Sequence, residues 1–323
     1  MNNLVYILAA SHSGSTLLSM LLGSHPQIAN AGELKLSAIG NLDTYRCSCG
    51  NLILNCEFWN KVKKGMKDRG FDFDLSCAGT DYRYVESAYA RRLLSSMHRG
   101  FWAEKLRDTA LFLSPKWRNQ LPLIQKRNAA LVSTISEIKN AKIVADSSKI
   151  GLRLKYLLKN PDLNVKIVRL IRDGRAVALT YVDPARFADA QNPDLRAGGS
   201  GGDRENERLS IAQAAYEWRR SHEEAQNILK NLGKNRYFEV NYEDLCKNTD
   251  NTLDSIFDFL DLSSDKRVKD FRSVEQHVVG NGMRLDTTSE VKLDERWKSV
   301  LTKEQLQIFD QIAGSMNRSF GYK

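Results

Sequence analysis

The sequence predicts an α/β fold in which helices pack on a central, mainly parallel sheet. Short apolar segments without polar alternation are typical of strands that are buried on both faces. Four such segments are present: Leu4–Ala10, Lys142–Ala145, Val165–Ile171 and Arg236–Val240. Amphipathic segments follow them, and strands that alternate with helices indicate a parallel sheet with helical crossovers.

The amphipathic segments predict helices of ordinary length. The expected ranges are Ser15–Gly23, Tyr82–Leu106, Trp117–Lys139, Leu152–Leu158, Ala176–Tyr181, Asn206–Leu232, Thr249–Leu260 and Lys303–Ala313. No repeat or composition shift divides the 323 residues, so a single domain is expected, with 34–140 as a mostly helical insertion. The glycine-rich segment 196–203 predicts a mobile loop, either a linker or an active-site lid.

The composition is that of a soluble globular protein, with 42% hydrophobic and 27% charged residues, which excludes collagen-like, coiled-coil and disordered classes. A net charge of +9 favours an anionic partner, although a merely soluble basic surface is the alternative. No apolar stretch approaches the ~18 residues of a transmembrane helix. The amino terminus lacks the basic region of a signal peptide, so a cytoplasmic protein is expected.

The first predicted strand leads into a turn of small residues that opens a helix. The turn consists of Ser11, His12, Ser13, Gly14, Ser15 and Thr16. Backbone N–H groups at a helix N-terminus bind anions, and Gly14 permits close approach of the backbone. An ordinary serine-rich cap is the alternative. Against the Walker A loop, Ser15 stands where the phosphate-binding Lys belongs, which disfavours a nucleoside triphosphate as ligand.

A second basic element follows the strand Val165–Ile171. Arg172 lies at the carboxyl edge of the sheet, where open α/β sheets bind ligands. Thr180 follows eight residues later, about two helical turns, and can lie on the same side. The two side chains together predict a phosphate clamp. The alternative is a salt bridge from Arg172 or Arg175 to Asp173 or another carboxylate, with Thr180 as an ordinary helix residue.

These two motifs, in this order, resemble those of sulfotransferases that use 3′-phosphoadenosine 5′-phosphosulfate (PAPS) and release 3′-phosphoadenosine 5′-phosphate (PAP). Ser-Gly-Ser-Thr-Leu-Leu after the first strand is similar to the family's 5′-phosphosulfate loop. An Arg and a hydroxyl residue eight positions apart are similar to its 3′-phosphate clamp. The resemblance implies a three-layer α/β/α, P-loop-like fold and in-line transfer of a sulfuryl group to a hydroxyl or amine acceptor, with no metal required.

The resemblance also implies a catalytic set of Glu33, His12 and Lys149. His25-Pro26 followed by Gly32-Glu33 resembles tyrosylprotein and bacterial sulfotransferases, in which that Glu is the base. Asp146-Ser147-Ser148-Lys149 is similar to a stretch near bacterial active sites, and it implies that Lys149 stabilises the sulfate and that Asp146 is structural. His12 stands where the family usually carries Lys or Arg. The alternatives are that Glu33 and the stretch 146–149 cap the helices that follow them.

A late loop of the chain resembles the nucleotide-contacting loop of bacterial sulfotransferases. The resemblance implies that Asn281, Gly282 and Arg284 contact the 3′-phosphate or the adenine. The acceptor is left open among carbohydrate, lipid, phenol and tyrosine, and its specificity is expected within 34–140. No nucleic-acid partner is expected. The competing functions are an Mg-ATP-dependent small-molecule kinase and a non-catalytic nucleotide- or glycan-binding protein.

Three of the five cysteines lie close together in sequence, as Cys47, Cys49 and Cys56. An odd total argues against a disulfide framework. Zinc sites usually pair cysteines as C-x2–4-C and need a fourth ligand. Because the first spacing is shorter and no partner is evident, reduced cysteines that pack a loop are predicted, with a metal site as the alternative.

Overall fold

The computed structural model describes residues 2–37, 39–95, 100–202 and 204–323. These residues form a five-stranded sheet in the spatial order β2-β3-β1-β4-β5, in which all neighbouring strands are parallel. The strands are β1 (Asn2–Ala9), β2 (Ile28–Asn30), β3 (Ile143–Lys149), β4 (Leu163–Ile171) and β5 (Tyr237–Asn241). The predicted parallel α/β class is confirmed. The short edge strand β2 is the one that sequence analysis did not assign.

Helices connect the strands, and two of these connections, from β2 to β3 and from β4 to β5, contain more than one helix. The helices are α1 (Ser15–Leu22), α2 (Glu57–Asp68), α3 (Ala88–Ser95), α4 (Phe101–Phe112), α5 (Pro115–Lys139), α6 (Gly151–Leu157), α7 (Gly174–Val182), α8 (Pro184–Phe187), α9 (Ile211–Leu229), α10 (Tyr242–Lys247), α11 (Thr249–Phe259), α12 (Trp297–Val300), α13 (Lys303–Phe309) and α14 (Ser315–Ser319). Within the part of the chain that the structure describes, no helix is long and apolar enough to cross a bilayer.

The central strand β1 divides the core into two layers. Its side chains alternate between the faces of the sheet, as the strand period of two requires. Leu4, Tyr6 and Leu8 pack into one cluster with apolar residues of α5 and α6. Val5 and Ile7 pack into a second cluster with residues of α1 and α11. Helices therefore cover both faces of the sheet, and the three-layer α/β/α architecture is confirmed.

One predicted helix is wrong. The range Tyr82–Leu106 contains α3 and the start of α4, whereas residues 82–87 are not helical. Ser87 caps α3, with its hydroxyl oxygen accepting from the backbone N–H of Ala90. Gly100 precedes α4 with φ of 90°, a left-handed conformation that interrupts a helix. Residues 96–99 of the predicted helix lie outside the described residues.

The predicted loop 196–203 contacts the segment that leads to the cysteines. The Gly198 carbonyl accepts a hydrogen bond from the Arg46 N–H over 2.7 Å. The Ser200 hydroxyl donates to the Thr44 hydroxyl, also over 2.7 Å. Asp203 lies outside the described residues. The choice between a linker and a lid stays a prediction.

Candidate active site

A cavity of about 1150 Å³ lies at the carboxyl ends of the strands. Segments that follow four different strands line it, so residues that are far apart in sequence meet there. Of the residues that sequence analysis selected, the cavity is lined by Ser11, His12, Gly14, Ser15, Thr16, Glu33, Lys149, Arg172, Thr180 and Asn281. Ser13, Gly282 and Arg284 are absent from the lining.

The turn after β1 presents the N-terminus of α1 to this cavity. Gly14 is the N-cap residue, with φ of 88°, and its carbonyl accepts the first helical bond from Leu18. The preceding N–H groups have no acceptor within the helix, and the helix dipole is positive at this end. Ser15, Thr16 and Leu17 carry such groups at the cavity wall. The turn therefore presents to the cavity the N–H groups that the predicted anion site requires, and anion binding there stays a prediction.

Gly14 also contacts Tyr242 closely. A Cβ atom at position 14 would lie 2.6 Å from Cε2 of the Tyr242 ring, and the backbone there is left-handed. We expect Gly14→Ala to reduce the free energy of unfolding by about 1–3 kcal/mol, measured by urea titration. Gly201→Ala is the matched control, because Gly201 has φ of 78° and no neighbour within 4 Å of its added Cβ. Equal losses in the two variants would contradict a steric role for Tyr242.

Glu33 lies between two lysines at the floor of the cavity. Its Oε2 atom is 3.0 Å from Nζ of Lys35, and Lys149 donates a hydrogen bond to Oε1. Burial on its own would raise the pKa of Glu33, but the charges of Lys149 and Lys35 lower it to about 2. Burial lowers the pKa of Lys149, and the negative charge of Glu33 partly offsets this effect. Glu33 is thus a carboxylate over the whole physiological pH range.

The end of β3 holds Glu33 in place. Asp146 accepts the Leu34 N–H at 3.2 Å and is itself bound to Nε of Arg153 at 2.9 Å. The Ser148 hydroxyl oxygen accepts the Lys35 N–H at 3.0 Å. Asp146 is therefore structural, as predicted. The two alternatives based on helix capping do not apply, because Glu33 enters a turn rather than a helix, and the N-cap of α6 is Ile150.

His12 is an uncharged group in this site. Burial lowers its pKa to about 3, and the nearby charges of Arg204, Lys149 and Arg172 act in the same direction. The ring packs edge-on against Tyr181, with the centroids 4.6 Å apart. A neutral imidazole can donate a hydrogen bond, but it does not supply the positive charge of the Lys or Arg that it replaces.

Arg172 faces the cavity from the end of β4. Its Nη1 donates to the His12 carbonyl at 2.8 Å, and its Nη2 donates to Oδ2 of Asp294 at 3.0 Å. The guanidinium also stacks 4.4 Å from the centre of the Tyr242 ring. Arg172 therefore faces the cavity and also forms the salt bridge to another carboxylate that the alternative describes, with Asp294 as its partner.

Thr180 and Arg175 complete the second basic element. The Thr180 hydroxyl donates to the Ala176 carbonyl at 3.2 Å on the helix that follows Arg172, and it lines the cavity. Arg175 instead pairs with Asp173 at 2.7 Å and stacks on Trp297. The salt bridge of the alternative thus exists for both arginines. Arg172 and Thr180 both line the cavity, and their joint binding of one phosphate stays a prediction.

The late loop is arranged differently from what the resemblance implies. Arg284 is 1% exposed, and its Nη1 donates to the carbonyls of Gly280 and Asn281. The Gly282 N–H donates to Oδ1 of Asp189 at 2.6 Å. Arg284 thus fixes the loop internally, and in this geometry neither Gly282 nor Arg284 reaches the cavity. Asn281 lines the cavity, although its amide donates to the Ala188 carbonyl.

Several charged residues of the cavity were missed by sequence analysis, among them Lys35, Arg204 and Asp294. Arg204 pairs with Asp189 at 3.2 Å and with Glu207 at 3.1 Å. Lys35 could have been selected on one weak signal, because it is a basic residue two positions after Glu33. Arg204 and Asp294 occur in no recognisable motif, so no signal in the sequence separates them from ordinary surface charges.

Part of this site lies in a segment that matches a known family. A model described as "Sulfotransferase family" matches residues 151–266, the segment from α6 to α11 that contains Arg172 and Thr180. The search of curated proteins finds no match.

Solved structures resemble the chain over its whole length. The sulfotransferase domain from the curacin biosynthetic pathway is 16% identical, with a TM-score of 0.50, and the match covers 100% of this chain and 99% of that one. The sulfotransferase domain of the Synechococcus PCC 7002 olefin synthase is 17% identical, with a TM-score of 0.49 and coverage of 100% and 95%. A sulfotransferase from Mycobacterium avium is 10% identical, with a TM-score of 0.49 and coverage of 100% and 78%. The family model thus matches less than half of the chain, and the fold of the whole chain is similar to that of the sulfotransferase domain from the curacin biosynthetic pathway.

Proposed function

We propose that the protein is a sulfotransferase, that its sulfuryl donor is PAPS and that PAP is the nucleotide product. One observation carries this proposal. The N-terminus of α1, the Glu33–Lys149 pair and the Arg172–Thr180 pair all line a single cavity. A donor with phosphates at its 5′ and 3′ positions has anionic groups at both ends, so two separate cationic or N–H-rich elements match it.

The orientation of the donor follows from these elements. The 5′-phosphosulfate binds the turn of Ser11 to Thr16, through N–H groups and hydroxyls. The 3′-phosphate binds Arg172 and Thr180. Arg172 already donates to Asp294, so the phosphate replaces this carboxylate as the partner of the guanidinium, and the dianion forms the stronger pair.

Glu33 acts as the base and Lys149 stabilises the leaving group. The acceptor oxygen or nitrogen forms a bond to sulfur while the bond from sulfur to the bridging oxygen breaks, and PAP departs with that electron pair. Glu33 takes the proton of the acceptor. The ammonium of Lys149 offsets the charge that develops on the bridging oxygen, and neutral His12 donates a hydrogen bond to the same group.

The donor also prepares Glu33 for this role. With a pKa of about 2, the carboxylate is a weak base in the free protein. An anionic phosphosulfate beside Lys149 draws the ammonium away from Glu33 and adds negative charge nearby. Both changes raise the pKa of Glu33 and therefore its strength as a base. In this proposal Glu33 becomes effective once the donor is bound.

The lysines at the cavity floor make a metal ion at the sulfuryl group unnecessary in this proposal. A sulfuryl group carries less charge than a phosphoryl group, and Lys35 and Lys149 both face Glu33 within the cavity.

The acceptor enters from the side of 34–140, since Lys35 and Arg83 of that region line the cavity. Its class stays open among carbohydrate, lipid, phenol and tyrosine.

A thermal-shift comparison tests the donor assignment. We expect PAP at about 100 times its Kd, without Mg²⁺, to stabilise the protein by about 2.7 kcal/mol and to raise its Tm. Mg-ATP at the same concentration is expected to raise the Tm far less, because Ser15 replaces the lysine that holds a triphosphate. Stabilisation by Mg-ATP but not by PAP would support the kinase alternative and contradict this proposal.

A further inference from the structure

A second constellation of reactive side chains lies outside the cavity. The side chains of Cys47, Cys49, Cys56 and His277 converge so that one ligand atom from each lies within 4.8 Å of all the others. Sequence analysis found no fourth partner for the cysteines. The structure supplies one, because His277 is 221 residues from Cys56 in sequence yet 3.4 Å from it in space, Nδ1 to Sγ.

The distances match a tetrahedron around one ion. With Zn–S bonds of about 2.3 Å and a Zn–N bond of about 2.0 Å, the edges of a regular site are about 3.8 Å between sulfurs and about 3.5 Å between sulfur and nitrogen. The observed separations are 3.8 Å for the Sγ atoms of Cys49 and Cys56, and 3.8 and 3.4 Å from His277 Nδ1 to Cys47 and Cys56. Atoms this close suit a mononuclear centre rather than a multi-iron cluster.

The surroundings of His277 orient it as a ligand. Its ring stacks on Phe58 with an interplanar angle of 3° and a centroid distance of 4.5 Å. Its other nitrogen, Nε2, lies 3.7 Å from Oε1 of Glu275, and its carbonyl accepts from Nε1 of Trp59 at 3.2 Å. A carboxylate near the second imidazole nitrogen, with the first free to coordinate, is a recurrent arrangement around protein-bound zinc.

Cys47 and Cys49 lie in a tight turn that brings both sulfurs to one point. The Gly50 N–H donates to the Cys47 carbonyl at 2.9 Å, and the Cys47 N–H donates to the Asn51 carbonyl at 2.9 Å. Gly50 has φ of 86°, which closes the turn. The C-x-C spacing is one residue shorter than the shortest usual spacing, C-x2-C. The tight turn nevertheless brings both sulfurs to one site. Three thiols and one imidazole are a donor set that selects zinc.

We propose that Cys47, Cys49, Cys56 and His277 form a structural zinc site that joins the loop 45–56 to the segment 275–280. All four positions are filled by protein ligands, as in structural rather than catalytic zinc sites. The proposal is independent of the identity of the sulfuryl donor.

The proposed ion would fasten a segment that packs on the active site. Beside it, the Ser48 hydroxyl donates to the Gln276 carbonyl at 2.6 Å, and the Gly280 N–H donates to the Tyr45 hydroxyl at 2.8 Å. A Cβ on Gly280 would lie 3.2 Å from Cγ of Glu33. The zinc site thus holds the backbone that lies against the proposed base, and it stabilises the site without contacting the substrate.

Metal content and a cobalt spectrum test the proposal. We expect the full-length protein, purified without chelators and with its thiols reduced, to contain about one zinc ion per chain by mass spectrometry. Replacement by Co²⁺ is expected to give the intense visible bands of a tetrahedral site and thiolate charge-transfer absorption. Folded protein that contains no zinc and gives no such cobalt spectrum would overturn the proposal, as would a disulfide between Cys49 and Cys56 in the intact protein.

Three variants localise the ion. Cys49→Ser is expected to lose zinc or to bind it far more weakly, and His277→Cys is expected to retain zinc while its cobalt charge-transfer absorption increases. Cys77→Ser is the matched control, because Cys77 is exposed and outside the cluster, so full zinc content is expected. Should Cys49→Ser fail to fold, the metal content of the unmodified protein and of His277→Cys still decides the question. Equal zinc in Cys49→Ser and the unmodified protein would place the ion elsewhere and contradict the assignment.

Discussion

Replacing Glu33 with glutamine is expected to abolish sulfation while leaving PAP binding nearly unchanged. Glutamine has almost the same shape and its amide oxygen can accept from one of the two lysines, but it cannot take a proton from the acceptor. Loss of a general base lowers the turnover by about 10²- to 10⁴-fold. The elements proposed to bind PAP lie at the ends of β1 and β4, so they are not directly changed.

Single-turnover measurements with saturating PAPS, together with calorimetric titration of PAP, separate these two effects. Glu290→Gln is a suitable control, because Glu290 lines the same cavity but pairs with Lys292 at 2.8 Å and is largely exposed. We expect this control to keep its turnover within about threefold. Turnover of Glu33→Gln within the same range would remove Glu33 from the role of base.

The pH dependence of the reaction independently tests the role of Glu33 as the base. The kcat/KM for the donor reports the free enzyme, in which the pKa of Glu33 is about 2, so its profile shows no acidic limb from this group near neutral pH. The kcat reports the state with donor bound, in which Glu33 has a higher pKa. We therefore expect the acidic limb of kcat at a higher pH than that of kcat/KM, and Glu33→Gln to remove it.

Local patterns were enough to predict the sheet and much of the site. Continuous apolar strands and a small-residue turn are encoded within about ten neighbouring residues, and the carboxyl ends of parallel strands meet at one edge. Arg172 could therefore be selected from its place after a strand, whereas Glu33 and Lys149 were selected because their segments resemble those of known sulfotransferases. The ordering of strands β2 and β3 beside β1 brings Glu33 and Lys149 together although 116 residues separate them.

The rest of the site depends on contacts that no local pattern encodes. Asp294 reaches Arg172 from an extended segment 122 residues later, and only the folded chain shows this pairing. His277 meets Cys47 and Cys56 in the same way. The resemblance of the late loop is misleading for Arg284, because a Gly-Asn-x-x-Arg pattern does not reveal that its guanidinium binds the carbonyls of its own loop.

Arg172→Lys is expected to weaken PAP binding by about 10- to 100-fold and to leave the affinity for adenosine 5′-monophosphate within about twofold of the original. Lysine keeps the charge but loses the planar fork that can bind two phosphate oxygens at once. Because 5′-AMP lacks the 3′-phosphate, it does not use this contact. The ratio of the two affinities, measured by calorimetric titration, therefore reports the clamp itself.

The contacts of Arg172 give this experiment a second possible outcome. Since Nη1 donates to the His12 carbonyl, the arginine also supports the turn proposed to bind the 5′ end. If the affinities for PAP and 5′-AMP fall by the same factor, Arg172 acts through this turn and the 3′-phosphate binds elsewhere. Arg175→Lys is the matched control, because Arg175 pairs with Asp173, stacks on Trp297 and does not line the cavity. The affinities of Arg175→Lys for both nucleotides are expected to be unchanged. A loss of PAP affinity that occurs only in Arg172→Lys would identify Arg172 as the residue that distinguishes a 3′-phosphorylated nucleotide from one without that phosphate.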